Sequence, residues 1–529
     1  MAETTTPDQV KEWLSDGQEI AFVDVRENGR YGDGHPFFAV SIPYSRFEKR
    51  LVETVPNPVV RLVLYDDGDG IAELAAGRAA ALGYSNIFVM DGGAAAWQAA
   101  GFTLYQGENV PSKTFGELLE LAHHTPNLTA EQVAALEETT PNHIIVDSRP
   151  YAEYNRFNIP GGICCPNGEL ALRIGELAPD PETTIVVNCA GRTRSILGAE
   201  TLRAFGVPNP VYALQNGTQG WLLAGLQREE GATRSYPEPP KAPEARDKLR
   251  AMAAACAAKS GLKYIDADEA VAWLSDGTRS TYLFDVRSEE EFQRDGLAGS
   301  RHVLGGQLVQ ATDRYMGVKG ARAIVMDNEM VRAPMMANWI HQIGYEVAVL
   351  EGGLSALRNR DLPAVPKFDA PPVATTSPAQ AKQNCDQPDT TILDLRSVSA
   401  YRAGHIDGAV WTMRSKLSTL KLASTARAII IAEDDVIPAL ACQRLADLGV
   451  ADIKRLTGDE AAWRDAGFAI VATPDQPSDS ESFDLLHHVH QRNNPNGSEA
   501  GAKAYLAWEI GLVEQLDDQE RASFRLTAA

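Results

Sequence analysis

Four times along the chain a short, almost unbroken apolar run ends in Asp-x-Arg: residues 20–26 (IAFVDVR), 144–149 (IIVDSR), 282–287 (YLFDVR) and 392–396 (ILDLR). A second apolar run follows each one, at residues 61–65, 184–188, 323–326 and 428–431. Each second run leads into an Ala- and Leu-rich stretch of helical character that stops at a glycine, Gly83, Gly206, Gly344 or Gly449. A third β-type run and a small-residue turn come next, closed by a large apolar residue, Trp97, Trp221, Leu357 or Trp463. Runs rich in β-branched residues that alternate with helical segments predict βα units around a parallel sheet. The repeating unit is far longer than the ~20–50 residues of a solenoid repeat, so each copy is a small α/β domain.

The fold class is therefore α/β, with four tandem domains and a helical C-terminal tail. The units are read as residues 1–110, 111–235, 236–366 and 367–475, with the tail at 476–529. The third unit opens on a Pro-rich linker, 236–243 (YPEPPKAP), and 363–378 separates it from the fourth. The tail reads as two helices, about 483–492 and 499–524, broken by NNPNG at 493–497. Tyr505, Trp508, Leu512 and Leu516 recur at helical spacing, and that face is expected to dock on another domain.

Composition narrows the function. The 529 residues are 44% hydrophobic and 23% charged, ordinary for a globular protein. No apolar run approaches the ~18–20 residues of a membrane span, so no membrane partner is expected. The formal net charge of −22 argues against nucleic acid and anionic membranes, though not against a local basic pocket. The N-terminus MAETTTPDQV lacks a basic segment followed by an apolar one, and six scattered cysteines (Cys164, Cys165, Cys189, Cys256, Cys385, Cys442) form no CxxC pair. A reducing cytoplasmic setting is expected, with neither a disulfide framework nor a zinc module. No phosphate-binding or dinucleotide-binding glycine motif occurs, and no cofactor or metal is implied. His487-His488-x-His490 in the tail lacks a carboxylate partner and reads as a solvated or packed face.

One loop carries chemistry. Between its second apolar run and its helix, the second unit reads Cys189-Ala190-Gly191-Arg192-Thr193-Arg194-Ser195. Such a loop lies at the carboxyl end of a parallel strand, where open α/β sheets bind ligands. A cysteine there meets inward-turned backbone N–H groups, the positive end of a helix and two arginines, all of which favour thiolate over thiol. Arg192 and Arg194 offer planar donor forks for an oxyanion, and Gly191 lets backbone close on a small ligand. Counting back from the helix-ending glycine, the other units place Asp66, Asp327 and Ala432 where the second has Cys189. The third unit retains Arg332 opposite Arg194. One unit of four can thus do thiol chemistry. Asp147 and Arg149 read as a structural ion pair, Arg173 as a further pocket charge or a surface residue, and Cys164-Cys165 as packing residues that could alternatively relay sulfur.

These residues resemble the rhodanese family of sulfurtransferases. The Asp-x-Arg strand end, the Cys-x-Gly-Arg-x-Arg-Ser loop, the turn from Gly217 to Trp221 and the segment Gly404-His405-Ile406-Asp407-Gly408-Ala409 all look like its motifs. The likeness covers nearly everything except the tail, as in a bacterial protein of four tandem rhodanese domains. It implies sulfur transfer through a persulfide. Cys189 would take sulfane sulfur from a small anionic donor such as thiosulfate and pass it to cyanide, a thiol or a protein acceptor. Arg192 and Arg194 would hold the donor, and the N–H groups from Ala190 through Gly191 and Thr193 to Ser195 would stabilise the persulfide. Arg194 stands one residue closer to the cysteine than in the Cys-x5-Arg loop of related phosphatases, which favours sulfane sulfur over tetrahedral phosphate. A phosphatase or arsenate reductase, or a non-catalytic sulfur carrier or interaction scaffold, are the alternatives. The sequence leaves monomer and homodimer both open.

Overall fold

The computed structural model describes residues 2–385, 387, 389–486 and 499–527. Four five-stranded sheets, all parallel, follow one another along the chain. In each, the strands counted in chain order lie side by side as first, fifth, fourth, second and third. In the second domain these are Asn127–Leu128, Val211–Leu214, Thr184–Asn188, His143–Asp147 and Ile163–Cys164. Helices cover both faces, so the central strands are buried throughout: Ile185, Val186 and Val187 are fully enclosed. That double burial is why these strands read as continuous apolar runs rather than as alternating patterns.

The punctuation of the sequence has direct structural counterparts. Gly83, Gly206, Gly344 and Gly449 all adopt left-handed backbone, with φ of +93°, +84°, +119° and +89°. This is the conformation that ends a helix most cheaply on glycine. Trp97, Trp221, Leu357 and Trp463 are buried anchors. Each tryptophan indole N–H donates to a carbonyl six residues away: Trp97 and Trp221 to Thr103 and Gln227 further on, at 3.1 and 2.8 Å, and Trp463 to the earlier Thr457 at 3.0 Å. Asp-x-Arg closes on itself in all four domains. Arg26, Arg149, Arg287 and Arg396 each grip the aspartate two residues earlier at 2.6–2.8 Å.

Two inter-domain helices hold the assembly together. Val110–His123 runs between the first and second domains and is buried along most of its length. Pro243–Lys259, entered from the Pro-rich linker, packs on Arg332–Ile343 of the third domain. The tail departs from the sequence reading. The expected helix at 499–524 is three pieces: Glu499–Ile510, the single turn Val513–Gln515 and Asp518–Arg521. Gly511 follows the first piece, and the Asp517 side chain caps the last by accepting from the Glu520 N–H at 2.8 Å, which fixes a new helix start. Residues 483–486 form a turn, not a helix. The rest of that expected helix, the break at 493–497 and His487, His488 and His490 lie outside the described residues. The docking face is as expected: Tyr505, Leu512 and Leu516 are buried, the two leucines against Phe37, Tyr105, Val110 and Leu118.

Candidate active site

Cys189 is the first residue after the strand Thr184–Asn188, and the loop behind it enters the helix Thr193–Phe205. Asp66, Asp327 and Ala432 stand at the same point, directly after Arg61–Tyr65, Arg322–Met326 and Arg427–Ile431. Cys189 is 2% exposed. Its thiol donates to Ser195 Oγ at 3.5 Å, and that hydroxyl in turn donates to the Arg192 carbonyl at 2.8 Å. On ionisation of the thiol, the same hydroxyl can rotate and donate to sulfur.

The closing turn sets the loop's orientation. The carbonyls of Cys189 and Ala190 accept from the N–H groups of Thr218 and Gln219 at 2.9 and 3.1 Å. Gly217 makes this approach feasible: at φ +52° a Cβ would sit 2.4 Å from the Cys189 oxygen and 2.6 Å from the Gly191 oxygen. With the carbonyls engaged on that side, the N–H groups from Ala190 to Arg194 meet no acceptor among the described residues. They remain as donors at the positive end of a 13-residue helix.

The other three loops fill this position themselves. Asp66 accepts from the N–H groups of Gly68 and Ala72 at 2.8 and 2.9 Å. Asp327 accepts from Val331, Arg332 and Ala333 at 3.4, 3.3 and 3.2 Å. Asp434 accepts from Val436 and Ile437, both at 3.0 Å. Burial raises the pKa of Asp66 and Asp327 while these N–H groups oppose the rise. A carboxylate thus takes the donors that the Cys189 loop keeps.

The two arginines are placed differently from expectation. Arg192 points away from a free anion site: its fork pairs with both oxygens of Glu117 at 2.8 Å, also meets Glu120, and reaches Asn216 Oδ1 at 3.2 Å. Glu117 and Glu120 come from the helix Val110–His123. Arg194 makes a bidentate pair with Glu153, both contacts 2.8 Å. Burial opposes the charge of both guanidiniums, yet the carboxylates outweigh it and raise their pKa values. For Arg194 the Cys189 sulfur also contributes to that rise. The tail covers the loop. Glu509 accepts from the Thr193 hydroxyl at 2.6 Å, and a Cβ on Gly191 would lie 3.1 Å from the Tyr505 ring. Lys113 donates to the Tyr505 hydroxyl at 2.5 Å and stands 3.7 Å from Glu509.

The remaining candidates fall outside this group. Asp147 and Arg149 form a buried bidentate pair at 2.9 and 2.7 Å, and Arg149 also donates to the Phe157 carbonyl. Arg173 is neither a pocket charge nor a surface residue: it is buried, pairs with Glu169 at 2.9 Å and lies under the Tyr236 ring. Burial pushes the Cys164 thiol up to about 12, with Asp147 adding to it, and burial also raises the Cys165 thiol well above its ordinary value. Cys256 and Cys442 rise to about 11, also through burial.

Sequence reasoning missed Glu117, Glu120, Glu153 and Glu509. One signal for Glu153 was available. It precedes Arg194 by 41 residues, the same interval at which Glu291 precedes and pairs with Arg332 in the third domain.

Comparison with known proteins gives a consistent set. A family model described as the rhodanese-like domain matches residues 6–100, 129–224, 266–360 and 377–466. A crystal structure of a thiosulfate sulfurtransferase from Pseudomonas aeruginosa superposes with a TM-score of 0.89 at 37% identity, covering 99% of this chain and 100% of that one. An HTH-type transcriptional regulator of Mycobacterium tuberculosis is 39% identical over 89 residues, which is 17% of this chain and 38% of the regulator.

Proposed function

This chain belongs to the rhodanese family, and from that premise we propose that it is a sulfurtransferase working through a persulfide on Cys189. The Cys189 thiolate attacks the outer sulfur of thiosulfate or a similar donor. The donor's S–S bond breaks, its electron pair leaves with sulfite, and Cys189 retains one sulfur as a persulfide anion. Cyanide or a thiolate then attacks that outer sulfur, and the thiolate is restored. This is covalent catalysis in two half-reactions.

The observation that carries this reading is the contrast among the four loops. Asp66, Asp327 and Asp434 each satisfy their loop N–H groups with a carboxylate, whereas the N–H groups from Ala190 to Arg194 are left to whatever sits on Cys189. A persulfide anion has the charge and size for that position. Arg194 is the guanidinium that can turn to an anionic donor, because Glu153 is 40% exposed on its side chain and can be taken over by water. Arg192 is the positioning residue: its partner Glu117 is 5% exposed and has no such alternative.

The test is the mass of the peptide containing Cys189 after incubation of the full chain with thiosulfate. A gain of one sulfur, about 32 Da, removed by cyanide and absent in Cys189→Ala, is the expected result. No gain with thiosulfate, mercaptopyruvate or a small persulfide would overturn the proposal.

A further inference from the structure

A cavity of about 310 Å³ lies between the first and third domains, far in sequence from the Cys189 loop. Four separate segments bring cations to it. Arg50 comes from the helix Phe47–Thr54, Arg301 from the edge strand Arg301–His302, Arg314 from the turn of helix Thr312–Tyr315, and Lys367 from the linker after the third domain. The one carboxylate in the lining is Glu53, and it is shared: Lys49 holds one oxygen and Arg50 stands 3.6 Å from the other. Among the described residues, Arg301, Arg314 and Lys367 have no carboxylate partner. Arg301 lies over the Tyr282 ring, 5.4 Å away, and Arg50 donates to the Arg314 carbonyl at 2.9 Å. In a chain of net charge −22, four cations facing one shared carboxylate is a local reversal of sign.

The electrostatics agree with the geometry. Arg194, Arg287 and Arg332, each beside its own carboxylates, have raised pKa values. Those of Arg50 and Arg301 are lowered by burial; Glu53 opposes the drop at both, and the like charges of Arg314 on Arg50 and of Arg50 on Arg301 add to it more weakly. Burial thus outweighs the one shared carboxylate, so the cavity is short of negative charge for its cations. The rest of the wall is apolar, with Phe284, Tyr315, Val365 and Pro366.

We propose that this cavity is a second binding site, separate from Cys189, for a doubly charged tetrahedral oxyanion. Inorganic sulfate, thiosulfate and phosphate share this chemistry, as does the same head on a small organic body that lies on the apolar wall. Arg301 and Arg50 would form its floor, and Arg314 and Lys367 its rim. Occupancy would tie the first domain to the third.

The test uses the full chain at constant ionic strength set with chloride. Sulfate, thiosulfate, phosphate and phenyl phosphate are titrated separately, and binding is read by calorimetry and by thermal shift. Saturable binding of at least one is expected, unchanged in Cys189→Ala and weakened about 10-fold or more in Arg301→Gln, the size of one lost charged hydrogen bond. Tighter binding of phenyl phosphate than of phosphate would assign the organic source, and equal binding the inorganic one. Arg314→Gln, at an exposed position, serves if Arg301→Gln fails to fold. Absence of saturable binding beyond chloride, or binding indifferent to the arginine substitutions, would overturn the proposal. Loss of binding in Cys189→Ala would also overturn it, by placing the anion at the sulfur site.

Discussion

The two loop arginines separate stability from sulfur transfer, and the separation follows from the exposure of their partners. Glu117 is 5% exposed and Glu153 40%. Arg192→Met leaves a carboxylate buried without its guanidinium, a change that costs about 3–5 kcal/mol in buried pairs. Glu120, 20% exposed, can be hydrated and adds little to that cost. Arg194→Met leaves Glu153 to water, and exposed pairs contribute about 0–1 kcal/mol. The assay is hydrogen exchange of the helix Thr193–Phe205 in the full chain, which reads local opening without requiring the whole molecule to unfold in two states. Opening of that helix should become easier by about 3–5 kcal/mol in Arg192→Met and by no more than about 1 in Arg194→Met. Adding Glu117→Gln to Arg192→Met should recover most of the loss, giving a coupling above about 2 kcal/mol. Activity should sort the other way. Arg194→Met loses a charged hydrogen bond to the donor, so kcat/KM for thiosulfate should fall about 10–100-fold, while the Arg192→Met/Glu117→Gln pair stays within several-fold of the parent. Equal losses of stability at the two positions, or an inactive but stable Arg192→Met/Glu117→Gln variant, would refute the reasoning.

Four further outcomes are expected. Cys164→Ser and Cys165→Ser should load sulfur as the parent does and Cys189→Ser should not, as judged by peptide mass, because burial keeps the first two thiols protonated. Gly217→Ala should fold but load sulfur poorly, since its Cβ would press on the Cys189 and Gly191 carbonyls at a backbone angle costing about 1–3 kcal/mol. His123 has its pKa raised from 6.5, chiefly by its bond to Glu200, with burial opposing and the Thr527 carbonyl adding. The folded state therefore holds this proton more tightly than the unfolded chain, so the contact stabilises fully below pH 6.5 and is lost as pH climbs through the raised value. Thermal unfolding should show that decline, and His123→Gln should flatten it. Finally, Asp327→Cys in a Cys189→Ala background should gain no sulfur from thiosulfate, because Arg332 stays locked between Glu169 and Glu291; a cyanide-labile gain at residue 327 would contradict this.

What the sequence disclosed was whatever depends on near neighbours. Strand runs buried on both faces, glycines at helix ends and the Asp-x-Arg turn each follow from a few adjacent residues, and they repeat four times. The candidate Cys189 loop was visible for the same reason, since Cys189, Gly191 and Ser195 share one turn. The partners of its arginines were not. Glu117 sits 75 residues before Arg192, and Glu509 lies 316 residues beyond Thr193. No periodicity links such positions, because the contact exists only after the helix Val110–His123 and the tail pack on the second domain. Two arginines side by side therefore suggested free positive charge where tertiary packing supplies Glu117, Glu120 and Glu153. The tail helix failed for a local reason that was present but underweighted: Gly511 and the Asp517–Glu520 capping box interrupt an otherwise helical pattern.

The loops without cysteine are structural in a definite sense. Arg332, the counterpart of Arg194, crosses to the second domain and meets Glu169 at 2.8 Å while keeping Glu291 at 2.6 Å. In the fourth domain, Asp434 of the corresponding loop pairs with Arg46 of the first at 2.6 Å, beside a buried pair between Arg414 and Glu48 at the same distance. Arg332 and Arg414 are completely buried, and removing Glu48 would leave Arg414 with only the Tyr44 carbonyl among the described residues, away from water. An arginine committed in this way cannot also turn to a donor. The N–H groups such a loop no longer offers to a ligand are satisfied by Asp327 or Asp434, and its charged side chains join one domain to the next. The Cys189 loop is likewise pinned through Arg192 and the buried Glu117, but its second arginine meets Glu153, which water can replace, and its tail cover touches it through Tyr505 and Glu509. On the proposed reading, Arg194 and its solvent-facing partner Glu153 are the part of the Cys189 loop that can give way to a donor.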